Sequence, residues 1–235
     1  MNYREGRSFK FTDFLLRLPG KSVVNGIRKN KNLSPKLDIF LQQHLAYSEA
    51  LLATGGNVTF LPALEQFPDS VFIEDAALVS GNNAVLLRPG AKSRTGEAVA
   101  LLPSLVKIFT NVHRIPAHGY IDGGDILLTD TEAFIGLSSR TNEFGYNHAA
   151  KVLSELEYAP RKVYTPPKVL HFKSECGILD SETLICTQNL AEIDCFHDYR
   201  VLLTPQGEEA AANLIRVNDT VLIGSGHPKT EDLLS

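Results

Sequence analysis

One short pattern recurs along the chain, and it constrains the fold more than any other feature of the sequence. An acidic residue opens an apolar segment, and a brief turn then leads into a second apolar segment. The pattern occurs as IEDAAL at 73–78, IDGGDIL at 121–127 and SECGIL at 174–179, with a fourth copy, NLIRVNDTVLIGSG, at 213–226. Each copy predicts a β-hairpin. Repeats at intervals of roughly 40–50 residues are typical of propellers and other modular arrays.

The segments between the hairpins predict one helix and one strand for each repeat. Helices are predicted near 96–109 and 143–156, the second with Asn142 as its cap, and an earlier helix is predicted to begin at Ser34 and Pro35. No linker or low-complexity stretch divides the repeats. We therefore predict an α/β fold in which residues 1–235 form a single domain of repeated ββαβ-like modules around a shared axis.

The composition limits the kinds of partner and the cellular location that we expect for this protein. The chain is 43% hydrophobic and 21% charged, with a net charge of −4 and no basic run, so no nucleic-acid partner is expected. The apolar runs are strand-sized and the N-terminal segment lacks the apolar core of a signal peptide, so no membrane association is expected. Three cysteines without a CxxC spacing predict free thiols and a cytoplasmic protein.

The segment FPDSVFIEDAALV at 67–79 places carboxylates between apolar runs. We predict a buried strand here, an environment in which carboxylates are rare unless they are paired or functional. Glu74 and Asp75 would point to opposite faces of this strand and could not share one partner, and Asp69 adds a third acid nearby. One interpretation is a structural ion pair with a turn Asp. The other is an acidic pocket for a cation.

Asp122 and His171 are predicted to lie at corresponding places in successive modules. By itself, Asp122 before Gly123 and Gly124 would fit a β-bulge, and His171 would fit a hydrogen-bonded core or surface residue. Together, the two residues fit a carboxylate that orients a histidine and keeps it charged for general acid–base catalysis.

Arg94 and Arg140 stand in the same triplet, Ser-Arg-Thr, at the entrance to two successive predicted helices. Packing at the start of a helix is one interpretation of this pair. A clamp that grips a carboxylate with bidentate hydrogen bonds is the other. A cation pocket, an anion clamp and a His–Asp pair together predict a site for a zwitterionic, arginine-like molecule.

The same segments resemble the dimethylarginine dimethylaminohydrolase family over practically the whole chain. The matching segments, in the family's order, are VVNGI at 23–27, PDSVFIEDAALV, LLRPGAKSR, IDGGDILL, FIGLSSRTNEFG and LHFKSECG. The resemblance implies the pentein fold, a five-module α/β propeller with its site on the axis. It also implies hydrolysis of dimethylarginine to citrulline and dimethylamine through a covalent cysteine intermediate, without a metal or organic cofactor. The partner it implies is a small-molecule methylarginine substrate, and a homodimer is a further expectation.

The resemblance also implies a role for each matching residue. His171 matches the family's catalytic histidine, and Asp122 matches the acid that accompanies it. Ile27 falls where a loop leucine of the family contacts the substrate, and the two arginines match residues that hold its amino-acid end. The matching substrate-binding residues are Ile27, Asp69, Glu74, Asp75, Arg94 and Arg140.

The sequence departs from the family at the nucleophile. The family's reactive cysteine lies close to the C-terminus in a Gly-rich hairpin, and none of Cys176, Cys186 and Cys195 lies in such a segment. We therefore expect the nucleophile beyond Ser235, a last module that lacks its end, and no activity in the chain as given. Two alternatives are an arginine deiminase-like hydrolase and a binding module that keeps the pocket but not the chemistry.

Overall fold

The computed structural model describes residues 6–28, 34–167 and 169–235, and the strands among them form five small sheets. The strands are β1 (Asp13–Arg17), β2 (Asn57–Leu61), β3 (Ala77–Ser80), β4 (Asn83–Leu86), β5 (Asn111–Arg114), β6 (Ile126–Leu128), β7 (Glu132–Leu137), β8 (Ala159–Tyr164), β9 (Cys176–Ile178), β10 (Thr183–Cys186), β11 (Arg200–Leu203), β12 (Ile215–Val217) and β13 (Thr220–Leu222). The α-helices are α1 (Leu37–Ala53), α2 (Thr95–Ile108), α3 (Glu143–Glu155), α4 (Gln188–Ala191) and α5 (Pro228–Leu234).

Three of the sheets repeat one arrangement. An antiparallel hairpin is followed by a helix, and the chain then returns as a third strand parallel to the second strand of the hairpin. We call these the second module (β3, β4, α2, β5), the third module (β6, β7, α3, β8) and the fourth module (β9, β10, α4, β11). The predicted α/β fold of repeated modules is confirmed by this arrangement.

The other two sheets have two strands each among the described residues. In the first module, β1 and β2 run parallel and are joined through α1. In the fifth module, β12 and β13 form an antiparallel hairpin that leads to α5. The first module thus contains the helix and last two strands of the repeated arrangement, and the fifth contains its hairpin and a helix.

Local sequence explains where α3 begins but not where α1 begins. Asn142 caps α3, since its side chain accepts a hydrogen bond from the backbone N–H of Gly145. Pro103 lies inside α2, which continues to Ile108. The prediction that α1 begins at Ser34 and Pro35 is wrong. The helix begins at Leu37, and its N-cap residue, Lys36, makes no side-chain capping bond.

The prediction of a buried strand over 67–79 is also wrong for most of that segment. Only Ala77–Ser80 is a strand, and the carboxylates Glu74 and Asp75 lie in a 3-10 helix, Ile73–Asp75. Phe72 is 50% exposed, whereas Ile73 packs against a core cluster, so the apolar run is not buried as a whole. A short apolar run does not reveal its own backbone geometry, because a strand and a tight turn can present the same residues.

Two of the core clusters cross from one module to the next. One cluster joins Val85 and Leu87 of the second module to Ile126 and Leu153 of the third. Another joins Leu127 and Phe134 of the third module to Phe172 and Leu184 of the fourth. Burial of these side chains therefore packs successive modules side by side and brings corresponding ends together. None of the described helices is both long and apolar enough to cross a membrane.

Candidate active site

Three 3-10 helices meet at the candidate site, one at the start of each of three successive modules. They are Ile73–Asp75, Gly123–Asp125 and Phe172–Ser174. A Cβ atom at Gly123 would lie 2.0 Å from the backbone oxygen of Glu74, and one at Gly124 would lie 2.8 Å from Cγ of His171. Two glycines are needed here because the backbone of the third module touches both neighbours.

Asp122 and His171 occupy equivalent positions, each immediately before the 3-10 helix of its module. His171 Nε2 lies 2.9 Å from Asp122 Oδ2. The side chain of Asp122 has no exposed surface, and its other oxygen, Oδ1, accepts a 2.7 Å hydrogen bond from the backbone N–H of Gly90. The predicted pair therefore lies within hydrogen-bond distance, with the carboxylate fixed from both sides.

The surroundings of His171 favour its charged form. Burial lowers the pKa of the imidazole, but the hydrogen bond to Asp122 and the charges of Asp75 and Asp125 outweigh burial and raise the pKa above its ordinary value. Asp75 Oδ1 is 4.0 Å from Nε2 of the imidazole. A histidine with a raised pKa remains a proton donor at a higher pH than an ordinary histidine.

Asp75 is held by the second and third modules together. Its Oδ1 accepts a 2.9 Å hydrogen bond from the backbone N–H of Gly124, and its Oδ2 accepts one from the Arg94 guanidinium. Glu74, beside it, is 62% exposed and contacts Lys173 Nζ at 3.0 Å instead. The two adjacent acids thus have separate partners, as the sequence predicts, although Glu74 is not buried.

Arg94 is enclosed by acceptors from its own module. Nε donates to Glu97, NH1 donates to Asp75, and NH2 donates to Glu97 and to the backbone oxygens of Asp69 and Phe72. Burial lowers the pKa of Arg94, but its bonds to Glu97 and Asp75 outweigh burial and raise the pKa. Each guanidinium nitrogen of Arg94 therefore already donates to a protein acceptor, and this arrangement favours helix-entrance packing over a clamp. Packing at the helix entrance fits the contacts.

Glu97 is a site-forming residue that the sequence interpretation missed. It lies in the first turn of α2, three residues after Arg94, and is 3% exposed. Burial raises its pKa although the hydrogen bonds from Arg94 oppose this shift. An Arg and a Glu at i and i+3 on a helix are neighbours, so the spacing alone could have indicated this pair.

Arg140 is placed differently from Arg94. Its side chain is 14% exposed, and NH1 lies 3.8 Å from Asp122 Oδ2, too far for a strong hydrogen bond. Its guanidinium therefore faces the His171–Asp122 pair with donors left for a ligand. Of the two arginines, only Arg140 has the arrangement that a carboxylate clamp needs.

Asp69 and Ile27 contact each other at the border of the site. Asp69 is buried, and its Oδ1 accepts a 2.9 Å hydrogen bond from the backbone N–H of Ile27. The Ile27 side chain is 50% exposed. A Cβ atom at Gly26 would lie 2.7 Å from Asp69 Oδ1, so glycine permits this contact. Asp69 therefore fixes the loop that presents Ile27.

The centre of the site has the charges to hold a cation. One ligand atom each from Asp75, Asp122 and His171 can be chosen so that all three atoms lie within 4.8 Å of one another. Such a group could hold a metal ion in principle. Here, however, Arg94 bonds to one of the carboxylates and Arg140 lies close to the other, so much of their charge is already balanced. An organic cation that hydrogen-bonds to carboxylates fits this balance better than a divalent ion.

The cysteines lie in the hydrophobic interior of the fourth module. Cys176 and Cys186 belong to its core cluster, and Cys195 packs against that cluster. Burial raises the pKa of Cys176, raises that of Cys186 to about 11 and raises that of Cys195 to about 12. Such thiols carry little thiolate at neutral pH and are poor nucleophiles.

Comparison with known proteins gives consistent matches, although no family model matches the chain. A relative named N(G),N(G)-dimethylarginine dimethylaminohydrolase, from Pseudomonas aeruginosa, is 33% identical over 226 residues, which are 96% of this chain and 89% of the relative. A solved structure of the same organism's dimethylarginine dimethylaminohydrolase, a Cys-to-Ser mutant complexed with citrulline, has a TM-score of 0.92 at 33% identity and covers 96% of this chain and 89% of that one. The N-terminal domain of ArgZ, a cyanobacterial arginine dihydrolase, has a TM-score of 0.83 at 18% identity over 94% and 85% of the two chains, which shows the fold alone.

The repeated modules, with a His–Asp pair where three of them meet, define an α/β protein of the pentein class. Within that class, the identity and coverage of the Pseudomonas relative are decisive. The chain belongs to the dimethylarginine dimethylaminohydrolase family. The family predicted from the ordered sequence segments is therefore confirmed.

Proposed function

We propose that this protein hydrolyses N-omega-methylated arginines, such as dimethylarginine, to citrulline and dimethylamine. The observation that carries the proposal is the contact between His171 and the buried Asp122, with Asp75 close to the same imidazole. This arrangement places a proton donor beside carboxylates that can hold a guanidinium. The citrulline complex of the Pseudomonas relative supports the proposal, since citrulline is the product the reaction would release.

The two ends of the substrate would bind to opposite charges. The guanidinium is a planar cation whose N–H groups match carboxylate oxygens, so Asp75 would hold it with support from Asp69 and Glu74. The α-carboxylate of the amino-acid end would bind Arg140, whose guanidinium faces the site. Ile27 would cover the aliphatic part with its half-exposed side chain. Arg94 would act indirectly, because it holds Asp75 in place.

The reaction would proceed through a covalent intermediate. A thiolate attacks the guanidinium carbon, and the bond from that carbon to the dimethylamine nitrogen breaks as His171 donates a proton to the leaving amine. His171 then accepts a proton from a water molecule that attacks the thiouronium carbon. Cleavage of the carbon–sulfur bond releases citrulline and restores the thiolate. Asp122 orients the imidazole and stabilises its charged form in both steps.

The attacking thiol is the part of the reaction for which the described residues offer no suitable candidate. The pKa values of Cys176, Cys186 and Cys195 are all raised, and their side chains pack in or against a hydrophobic core. We propose that none of them is the nucleophile. That the nucleophile lies beyond Ser235 stays a prediction.

Further parts of the proposal concern cofactors, location and assembly. The chemistry uses a thiolate, a histidine and carboxylates and needs no metal or organic cofactor. The free thiols of the described residues support a cytoplasmic location. Core clusters that include residues of successive modules support a single domain over residues 1–235. A homodimer is a further proposal, supported by apolar side chains on the surface of α1, such as the 57% exposed Leu45.

The test combines binding with turnover. Calorimetry measures citrulline binding to the 235-residue chain, and formation of citrulline from dimethylarginine is measured with a version extended beyond Ser235. We expect binding in the first case and turnover in the second. His171→Ala should abolish turnover, whereas His197→Ala, which changes a largely exposed histidine, should not. Activity that survives His171→Ala would contradict the assigned role, and a preference for free arginine would indicate a deiminase.

A further inference from the structure

Asp125 is a buried carboxylate that the proposed reaction does not use. It ends the 3-10 helix Gly123–Asp125, and its side chain has no exposed surface. Burial raises the pKa of Asp125, although the donors that bind the carboxylate oppose this shift. A buried carboxylate is costly unless it is well hydrogen-bonded, so its contacts indicate what it does.

The contacts of Asp125 lead to three residues of the site. Oδ1 accepts a 2.9 Å hydrogen bond from the backbone N–H of Phe172, the residue after His171. Oδ2 accepts hydrogen bonds of 2.6 Å from the hydroxyls of both Ser138 and Thr141. These two residues flank Arg140 in the loop that ends β7.

Each of these two hydroxyls also accepts a hydrogen bond from the backbone N–H of a site residue. Ser138 Oγ accepts the N–H of Arg140 at 2.9 Å, and Thr141 Oγ1 accepts the N–H of Asp122 at 3.3 Å. Because each hydroxyl accepts a backbone N–H and donates its own hydrogen to Asp125, the group at 125 has to accept three hydrogen bonds. Only a carboxylate does this, because an amide side chain would direct N–H donors at one end.

We propose that Asp125 is a positioning residue that holds His171, Asp122 and Arg140 in fixed positions relative to one another. One carboxylate thereby sets both the distance of the acid–base pair and the direction of the arginine that would hold the substrate carboxylate. This role deepens the proposed function and rests on it for its purpose. The positioning itself is a property of the free protein, and it can be measured without a ligand.

The titration of His171 reports this positioning directly. The charged groups that face the imidazole are Asp122 and Asp125 from the third module and Asp75 from the second. Arg140 lies beyond Asp122, and the Glu74–Lys173 ion pair lies beside them. Loss of the Asp125 charge, or a shift of Asp122 away from the imidazole, should lower the pH midpoint of His171. A residue that only stabilises the fold would not change it.

The experiment compares four variants of the 235-residue chain. Asp125→Asn replaces the central acceptor, and Thr141→Val removes one hydroxyl at constant shape. Thr141→Ser retains that hydroxyl and serves as the rescue. Thr204→Val is the matched control, because Thr204 is also buried but its hydroxyl has no hydrogen-bond partner among the described residues. NMR gives the midpoint of the His171 imidazole, and calorimetry gives citrulline affinity.

We expect Asp125→Asn and Thr141→Val to lower the His171 midpoint and to weaken citrulline binding by about tenfold, while Thr141→Ser and Thr204→Val change neither. An unchanged midpoint in a folded Asp125→Asn protein would overturn the proposal. If Asp125→Asn does not fold, the two Thr141 variants test the proposal instead. Equal His171 midpoints for Thr141→Val and Thr141→Ser would then refute the proposal. Failure of the unsubstituted protein to bind citrulline would count against the proposed function alone, since the His171 titration needs no ligand.

Discussion

Replacement of Arg94 by Met should destabilise the protein strongly, because it leaves two buried carboxylates without their cation. Asp75 and Glu97 have side-chain exposures of 7% and 3%, and both bond to this guanidinium. The backbone oxygens of Asp69 and Phe72 lose a donor as well. Breaking a buried ion pair from one side typically costs about 3–5 kcal/mol. We expect a loss of that size in the free energy of unfolding.

Urea unfolding of both proteins measures this loss, and Arg161→Met is the matched control. Arg161 contacts Glu132 at 2.6 Å, but its side chain is 50% exposed. Arg161 is half-exposed, and the buried Glu132 would keep its hydrogen bond from Tyr199. The control should therefore lose no more than about 1 kcal/mol and remain close to the unsubstituted protein. Both changes remove an arginine that bonds to a glutamate, and the two differ mainly in burial.

The pH dependence gives a second check on the same substitution. Burial raises the pKa of Glu97 even with Arg94 present, so the folded state binds the Glu97 proton more tightly than the unfolded state does. Without Arg94 this preference becomes stronger. The cost of Arg94→Met should therefore shrink as the pH falls and Glu97 takes up a proton. A cost below about 1 kcal/mol, together with a loss of citrulline affinity, would refute this reasoning and would make Arg94 a ligand clamp.

Three further predictions concern other parts of the molecule. Arg140→Ala should weaken citrulline binding by about 1.5–3 kcal/mol in calorimetry and leave the free energy of unfolding nearly unchanged. If binding of a decarboxylated citrulline analogue weakens equally, Arg140 does not hold the substrate carboxylate. Asp130→Ala should lower the free energy of unfolding by about 1–3 kcal/mol, because the carboxylate accepts a buried hydrogen bond from Gly6 and partly buried ones from Ser8 and Ser181. These hydrogen bonds outweigh burial and lower the pKa of Asp130. The stability that Asp130 contributes is therefore complete above the ordinary Asp pKa and is lost as the pH falls through the lowered pKa. A loss of stability in urea unfolding that does not depend on pH would argue against this prediction. Leu45→Glu should convert a homodimer to monomers in analytical ultracentrifugation, and an unchanged sedimentation coefficient would exclude α1 from the interface.

The sequence was sufficient for features that depend on local chemistry. Asn142 could be predicted as a cap because an amide oxygen placed before a helix accepts a free backbone N–H. The return strands of the hairpins could be predicted because turn residues separate apolar runs of strand length. Asp122 and His171 could be aligned because the repeat assigned them corresponding places, and the structure brings them to 2.9 Å.

Features that depend on distant partners could not be predicted in this way. The role of Arg94 depends on Asp75, which lies 19 residues earlier in the chain. The 3-10 geometry at Glu74 and Asp75 depends on contact with the glycines of the next module. The role of Asp125 could not be predicted, because neither of its hydroxyl donors is a neighbour in sequence. The pattern of residues predicts each module, whereas contacts between modules decide what the polar residues do.

The spacing of the site contacts also has a consequence for folding. The bond from Gly124 to Asp75 and the contact of His171 with Asp122 each span 49 residues, whereas each hairpin closes over a short turn. Closing a flexible loop of that length costs about 3.5 kcal/mol of chain entropy. Hairpins should therefore form early, and the site should assemble last, when three modules have folded. In hydrogen exchange, the opening that exposes the amide of Gly124 should accordingly require less free energy than the openings that expose the amides of the hairpin strands.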